Sequence, residues 1–182
     1  PGNRDLSIKG IALVVLGEAG PEQTIIDIAA GAAGLGGRGF YLEVAGDGTL
    51  IEGFTVKNGD ATALDPRAGG GALVIVSSPT FRRCIFSDNR AGNGLNLGGG
   101  AVASFGSSPT FEDCTFLRNS VVGSQSLGGA LSGYGSGTTH VLRCHFEENS
   151  VNSAGGAVAA GGAGLFMDGP NVVFEDCTFL RN

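Results

Sequence analysis

The 182-residue chain has no Trp, one Met, two Tyr and only two lysines, Lys9 and Lys57. Without Trp, and with Tyr only at 41 and 134, it offers no row of aromatic platforms for a sugar-binding cleft. Charged residues make up 15% of the chain and the net charge is −6, which excludes the Lys/Arg patches that hold nucleic acid or an anionic membrane surface. Long apolar runs are absent as well. The longest, Ile11–Leu16, has six residues where a membrane helix needs about twenty, and the apolar stretch Ala154–Met167 is short and broken by Gly. None of the four cysteines lies nearer than thirty residues to the next, so the paired close spacing of a zinc site is missing. There is no Gly-x-Ser-x-Gly elbow, no phosphate-binding Gly-rich loop ending in Lys-Ser/Thr, and no Asn-x-Ser/Thr sequon. The chain opens on Pro1 with neither signal peptide nor initiator Met, as expected of a processed product or an excerpt.

What the chain has in abundance is Gly, 34 residues, together with 42% hydrophobic residues. That hydrophobic share is too high for a disordered low-complexity chain, and the Gly-X-Y period of collagen is absent. The Gly belongs to a repeat. Thr80–Asn89, Thr110–Asn119, His140–Asn149 and Val173–Asn182 are one motif written four times, with cysteines at 84, 114, 144 and 177 and so spaced by 30, 30 and 33. Phe54-Thr-Val56 and Thr24-Ile-Ile26 continue the same period toward the N-terminus, and Gly-Gly-Ala plus Leu or Val precedes each of the last four copies, beginning at 70, 99, 128 and 155. The apolar runs are short, alternating and rich in β-branched and aromatic residues, and Gly, Ser-Pro, Asn and Asp interrupt them every few residues. This leaves no room for helices. It predicts an all-β solenoid: three short strands per coil of about thirty residues, coils stacked in parallel about 4.8 Å apart. Residues 1–182 are expected to form one domain of about six coils, centred near Ile26, Val56, Phe86, Phe116, Phe146 and Phe179.

In such a stack each motif position becomes a column. Cys84, Cys114, Cys144 and Cys177 face inward, as do Phe86, Phe116, Phe146 and Phe179 two residues on. Asn89, Asn119, Asn149 and Asn182 form an amide column above Gly59 whose side chains can hydrogen-bond along the stack and to turn backbone groups. Two charge columns alternate in sign and in opposite phase: Arg83, Asp113, Arg143, Asp176 before the cysteines, and Asp88, Arg118, Glu148, Arg181 before the asparagines. Opposite charges on neighbouring strands attract, so these eight residues read as ladders that set the register. The cysteines read as buried free thiols, and in-register strands place neighbouring ones too far apart for an easy disulfide.

Chemistry is harder to find. His140 and His145 occupy columns of ordinary surface residues. Glu52, Glu112 and Glu175 share a register that Arg82 and Leu142 interrupt, and the other acids are scattered, which is a thin basis for a lyase or hydrolase. No catalytic, cofactor or metal site is expected, and no cofactor.

The Gly-Gly-Ala-(Leu/Val) element followed by Phe-x-x-Asn (Phe86–Asn89, Phe116–Asn119, Phe146–Asn149, Phe179–Asn182) resembles the repeat of the chlamydial polymorphic outer membrane proteins. It is similar too to the wider set of secreted bacterial right-handed parallel β-helix, pectin-lyase-like repeats. The resemblance covers residues 50–182 well and 1–49 loosely. It implies a right-handed coil, in keeping with the usual crossover preference, and an extracellular or cell-surface setting. In that setting Cys84–Cys114 and Cys144–Cys177 are the natural disulfide pairs. The families concerned include adhesins, surface proteins and polysaccharide enzymes.

The ends add an expectation. Leu6, Ile8, Ile11 and Leu13 at one end, and Cys177, Phe179 and Leu180 at the other, show no capping element in the sequence. A second copy following Asn182 places its Thr24 29 residues beyond Cys177, within a residue of one period. These points suggest a non-catalytic extracellular structural protein whose partner is itself, stacked head to tail into a filament. The alternatives are a fragment of a cell-surface adhesin and a polysaccharide enzyme. The adhesin would bind a glycan or host protein through the strip of connections Gly59–Gly69, Arg90–Gly98, Ser120–Leu127 and Ser150–Ala154. The last coil's three extra residues are expected as an apolar bulge near Leu165–Asp168.

Overall fold

Strands here are short because the alternation that drives them is short: none of the described strands exceeds five residues. The computed structural model describes residues 4–30, 36–92, 98–123, 127–152, 165–169 and 171–182. Three parallel sheets of six strands each run along the stack. The first contains Leu6–Lys9, Phe40–Glu43, Ala72–Ile75, Val102–Phe105, Leu131–Tyr134 and Leu165–Asp168. The second contains Val14–Leu16, Leu50–Glu52, Thr80–Arg82, Thr110–Glu112, Thr138–Leu142 and Asn171–Glu175. The third contains Ile25–Asp27, Thr55–Lys57, Ile85–Ser87, Thr115–Leu117, His145–Glu147 and Thr178–Leu180. A smaller sheet of three strands (Arg90–Ala91, Ser120–Val122, Ser150–Asn152) follows the asparagines. Among the described residues the only helical element is the three-residue 3-10 turn Ile28–Ala30.

Six strand levels enclose about five complete turns, slightly fewer than the six coils counted from the repeat. The difference arises because a coil counted in sequence becomes a turn only when the next strand closes on it. The register is the expected one: Ile26, Val56, Phe86, Phe116, Phe146 and Phe179 stand directly over one another through five successive strand pairings. One expectation is corrected. Leu165–Asp168 is not a bulge but a regular strand, paired residue for residue with Leu131–Tyr134. Its backbone is held by the same ladder hydrogen bonds as every other rung.

The interior holds two aromatic files. Phe86, Phe116, Phe146 and Phe179 stack with centroids 5.4, 4.7 and 4.7 Å apart. Phe81 and Phe111 form a second stack at 5.4 Å, and the two files meet edge to face, Phe81 against Phe86 and Phe111 against Phe116. Both arrangements suit the quadrupoles of the rings. The Gly-Gly-Ala motif lets successive coils approach backbone to backbone: a Cβ on Gly100 would lie 2.2 Å from the carbonyl oxygen of Gly129.

The corners between sheets turn on single residues with positive φ. All eight members of the two charge columns adopt this left-handed conformation, with φ between 47° and 55°. Gly53, two residues before Thr55, and Asn58, directly after Lys57, occupy the same two registers in the coil before. The third corner column contains Val44 (φ 51°) and Val76 (φ 47°), and a β-branched residue there is strained. Val76 is 59% exposed, so its side chain contributes little burial in return. Val76→Gly is therefore expected to stabilise the fold by roughly 1 kcal/mol, read as an increased midpoint in urea denaturation.

Candidate functional site

The asparagine column is a continuous buried ladder. Asn89, Asn119 and Asn149 are fully buried, and each amide donates to the side-chain oxygen of the next: Asn89 Nδ2 to Asn119 Oδ1 at 3.0 Å, Asn119 to Asn149 at 3.0 Å, Asn149 to Asn182 at 2.8 Å. The second amide proton goes to a carbonyl of the coil below, Val56, Phe86, Phe116 or Phe146. The same Oδ1 also accepts the backbone N–H of the preceding asparagine, and Asn89 Oδ1 accepts that of Gly59. Each amide thus satisfies buried corner groups that have no strand partner.

The cysteines lie inward as expected and are free thiols, three buried and Cys177 half-buried. Their Sγ atoms sit 3.2–3.5 Å from carbonyl oxygens of the coil below, as Cys84 does from Ile51 and Cys177 from Val141. Burial pushes the Cys114 thiol well above its ordinary value, which keeps it neutral.

The charge columns pair in one direction. Arg118 grips Asp88 with two bonds of 2.8 and 2.9 Å, Arg143 grips Asp113 at 2.8 Å and also reaches Glu112, and Arg181 holds Glu148 at 3.0 Å and Glu147. Arg83 reaches back to Glu52, which Arg82 also holds. Every corner arginine therefore engages the coil before it. Glu52, Glu112 and Glu175 share the predicted register. A groove of about 440 Å³ beside Glu52, lined by Leu16, Glu18, Pro21 and Arg83, has its buried carboxylate engaged by both arginines. His140 and His145 are half-buried on the outer faces, and His145 Nε2 lies 3.1 Å from Glu147.

At the ends, Leu6, Ile11 and Leu13 are exposed, as are Phe179 and Leu180. Ile8 is not: it is 4% exposed, because strand alternation turns it inward under Leu42 and into the core. Of the lateral strip of connections, Gly59–Gly69 is described; parts of the other three, residues 93–97, 124–126 and 153–154, lie outside the described residues.

Several contributors went unread. Phe81 and Phe111 stand three residues before cysteines in two copies, and Phe174 does the same in the last, so the second file carried the same period as the first. The left-handed corners had a signal too, since Gly53 and Asn58 occupy those registers and both residue types favour that conformation. Ser77 and Ser107 form a small ladder, Ser77 N donating to Ser107 Oγ at 3.1 Å, that the Ser-Pro punctuation concealed.

Removing one rung separates a buried ladder from a decorative one. Asn119→Ala leaves several buried donors and acceptors unpaired and is expected to cost about 3 kcal/mol, whereas Asn182→Ala, on the exposed last coil, costs much less; denaturant midpoints compare the two. The acids respond to pH. Arg143 holds the Asp113 carboxyl below its ordinary 3.8, and the hydrogen bond from His145 holds Glu147 below 4.5. A depressed folded value contributes stability above the ordinary value that is lost as pH falls through the folded one. The unfolding midpoint should therefore drop modestly on acidification below these values, and less so in about 1 M salt, where exposed pairs are screened.

No curated protein and no solved structure matches the chain. A family model described as a right-handed β-helix region matches residues 24–182, and this match is to the broad family rather than to the narrower chlamydial repeat. With its parallel three-sheet coil, the chain belongs to the right-handed β-helix family.

Proposed function

We propose that this β-helix is a non-catalytic structural solenoid of the extracellular space or cell surface, extended by further coils seated on its end faces. The observation that carries this is the unbroken stacking of like side chains from coil to coil: Phe86, Phe116, Phe146 and Phe179 stack at 4.7–5.4 Å, and Asn89, Asn119, Asn149 and Asn182 are bonded in one ladder. A non-catalytic role also accords with the state of the acids considered for chemistry: Glu52, Glu112 and Asp113 are each engaged by arginine.

A lateral binding role, for a glycan or a surface protein of a host, has one observation in its favour. The outer face of the first sheet carries half-buried Tyr41, Ile75, Phe105 and Tyr134, the last two stacked at 5.3 Å. Binding on a glycan array in the absence of any assembly would favour that role over the structural one.

Head-to-tail stacking of copies is the form of extension proposed. The 182-residue chain should show concentration-dependent association by light scattering and rods of several chain lengths by negative-stain microscopy. Phe179→Lys should weaken association roughly tenfold or more, given the burial free energy of a phenyl ring. Uniform particles one chain long at every concentration would overturn self-stacking.

A further inference from the structure

The corner column between the second and third sheets changes character along the stack. Arg83, Asp113, Arg143 and Asp176 occupy it in the later coils, but the two earlier positions are Gly17 and Gly53. Where the column is charged, a corner arginine closes on the corner acid of the coil before it. Arg143 grips both carboxylate oxygens of Asp113, with Nε at 2.8 Å and Nη2 at 3.2 Å. Arg83 stands over Gly53 and has no such acid. Its Nη2 reaches aside to Glu52, which Arg82 Nε already holds at 2.7 Å. Two guanidinium groups therefore share one carboxylate here, whereas Arg143 and Arg181 each hold two carboxylates. The Arg83 side chain is 65% exposed, and its Nε and Nη1 make no hydrogen bond among the described residues. Nor can the chain supply the acid itself, since a Cβ on Gly53 would lie 2.6 Å from the carbonyl oxygen of Gly17. The groove of about 440 Å³ opens at this position, lined by Gly53, Glu52 and Arg83 together with Leu16, Glu18 and Pro21.

We propose that this groove binds a small monocarboxylate with an apolar body, its carboxylate gripped by Arg83 as Asp113 is gripped by Arg143. The ligand supplies the corner acid that Gly53 withholds. A guanidinium is always charged, and its planar fork matches the two oxygens of a carboxylate. Glu52 is buried and ties down both arginines, so little ordering remains to be done when the ligand enters. Charge selects a monoanion. Arg82, Arg83 and Glu52 together carry one net positive charge, and Glu18 in the same lining repels a second negative charge on the ligand. That disfavours a phosphate dianion. Leu16 and Pro21 give the apolar body a surface to cover, and the volume lies within the range of about 300–1,000 Å³ usual for small-molecule sites. The site lies on the flank of the coil and is independent of how the stack is extended.

The test titrates the full chain with benzoate while NMR follows the backbone amides and the arginine Nε–H signals. Saturable shifts are expected at Gly53 and Arg83, with a Kd of about 1 mM. Benzamide, which has the same shape without the charge, and phenyl phosphate should each bind at least about tenfold more weakly. Arg83→Gln should weaken benzoate by about tenfold or more, and Arg83→Lys should restore only part of the loss. Arg118→Gln, at the other corner column, should leave benzoate binding unchanged. An unaltered amide spectrum in the remaining coils shows that the Arg83 variants fold. Benzamide binding as tightly as benzoate, or shifts spread evenly over Arg83, Arg118 and Arg143, would overturn the site. Phenyl phosphate binding more tightly than benzoate would overturn the choice of a monocarboxylate.

Discussion

Vertical register is the constraint on which everything else in this molecule depends. Each coil donates its backbone hydrogen bonds to the coils above and below, so a side chain's principal neighbour is its counterpart about thirty residues away. Burial then follows automatically. The phenylalanines form continuous files because like sits on like, and flat rings stacked at 4.7–5.4 Å fit the spacing of parallel strands. A slip of one residue would place Ile85, Thr115 and His145 where the rings now lie.

The polar ladders protect that register. A file of phenyl rings tolerates rotation and small shifts, but the asparagine amides accept only one geometry, since each is bonded to its neighbour and to backbone groups of the coil below. The charges act outside the core and in high dielectric, so each pair contributes little. Their alternating sign matters more as discrimination: it penalises pairing with the wrong coil type, where like charges would stack. The molecule thus combines an apolar interior that drives coiling with a polar code that determines which coil follows which.

Much of this could be read from the repeat. The cysteine, phenylalanine and asparagine columns, the inward orientation of the first two and the opposed charge columns all follow from matching positions one period apart, and the structure places each where expected. Other features did not follow. Ile8 was grouped with the exposed N-terminal end, although strand alternation turns it into the core. Leu165–Asp168 is expected as a bulge because the coil is longer there, but it pairs residue for residue with Leu131–Tyr134, and the partner offset rises from 30 at Asn152 to 34 at Leu165, so the added residues fall between them in sequence, outside the described residues. The left-handed corners were missed because charge, not conformation, is the conspicuous property of Arg83 or Asp113; a charged residue tolerates positive φ at modest cost where its backbone N–H gains a partner in the next coil.

By itself, the sequence determined the period, the class of fold and the identity of every column, because a repeat forces equivalent residues into equivalent places whatever the path of the chain between them. The tertiary structure alone decided which way each interaction points. That each arginine reaches back rather than forward, and that the asparagine oxygens accept from below, depends on the tilt of side chains leaving a one-residue corner. This tilt is set by backbone angles that no list of residues displays, and it makes the two ends of the stack chemically unlike.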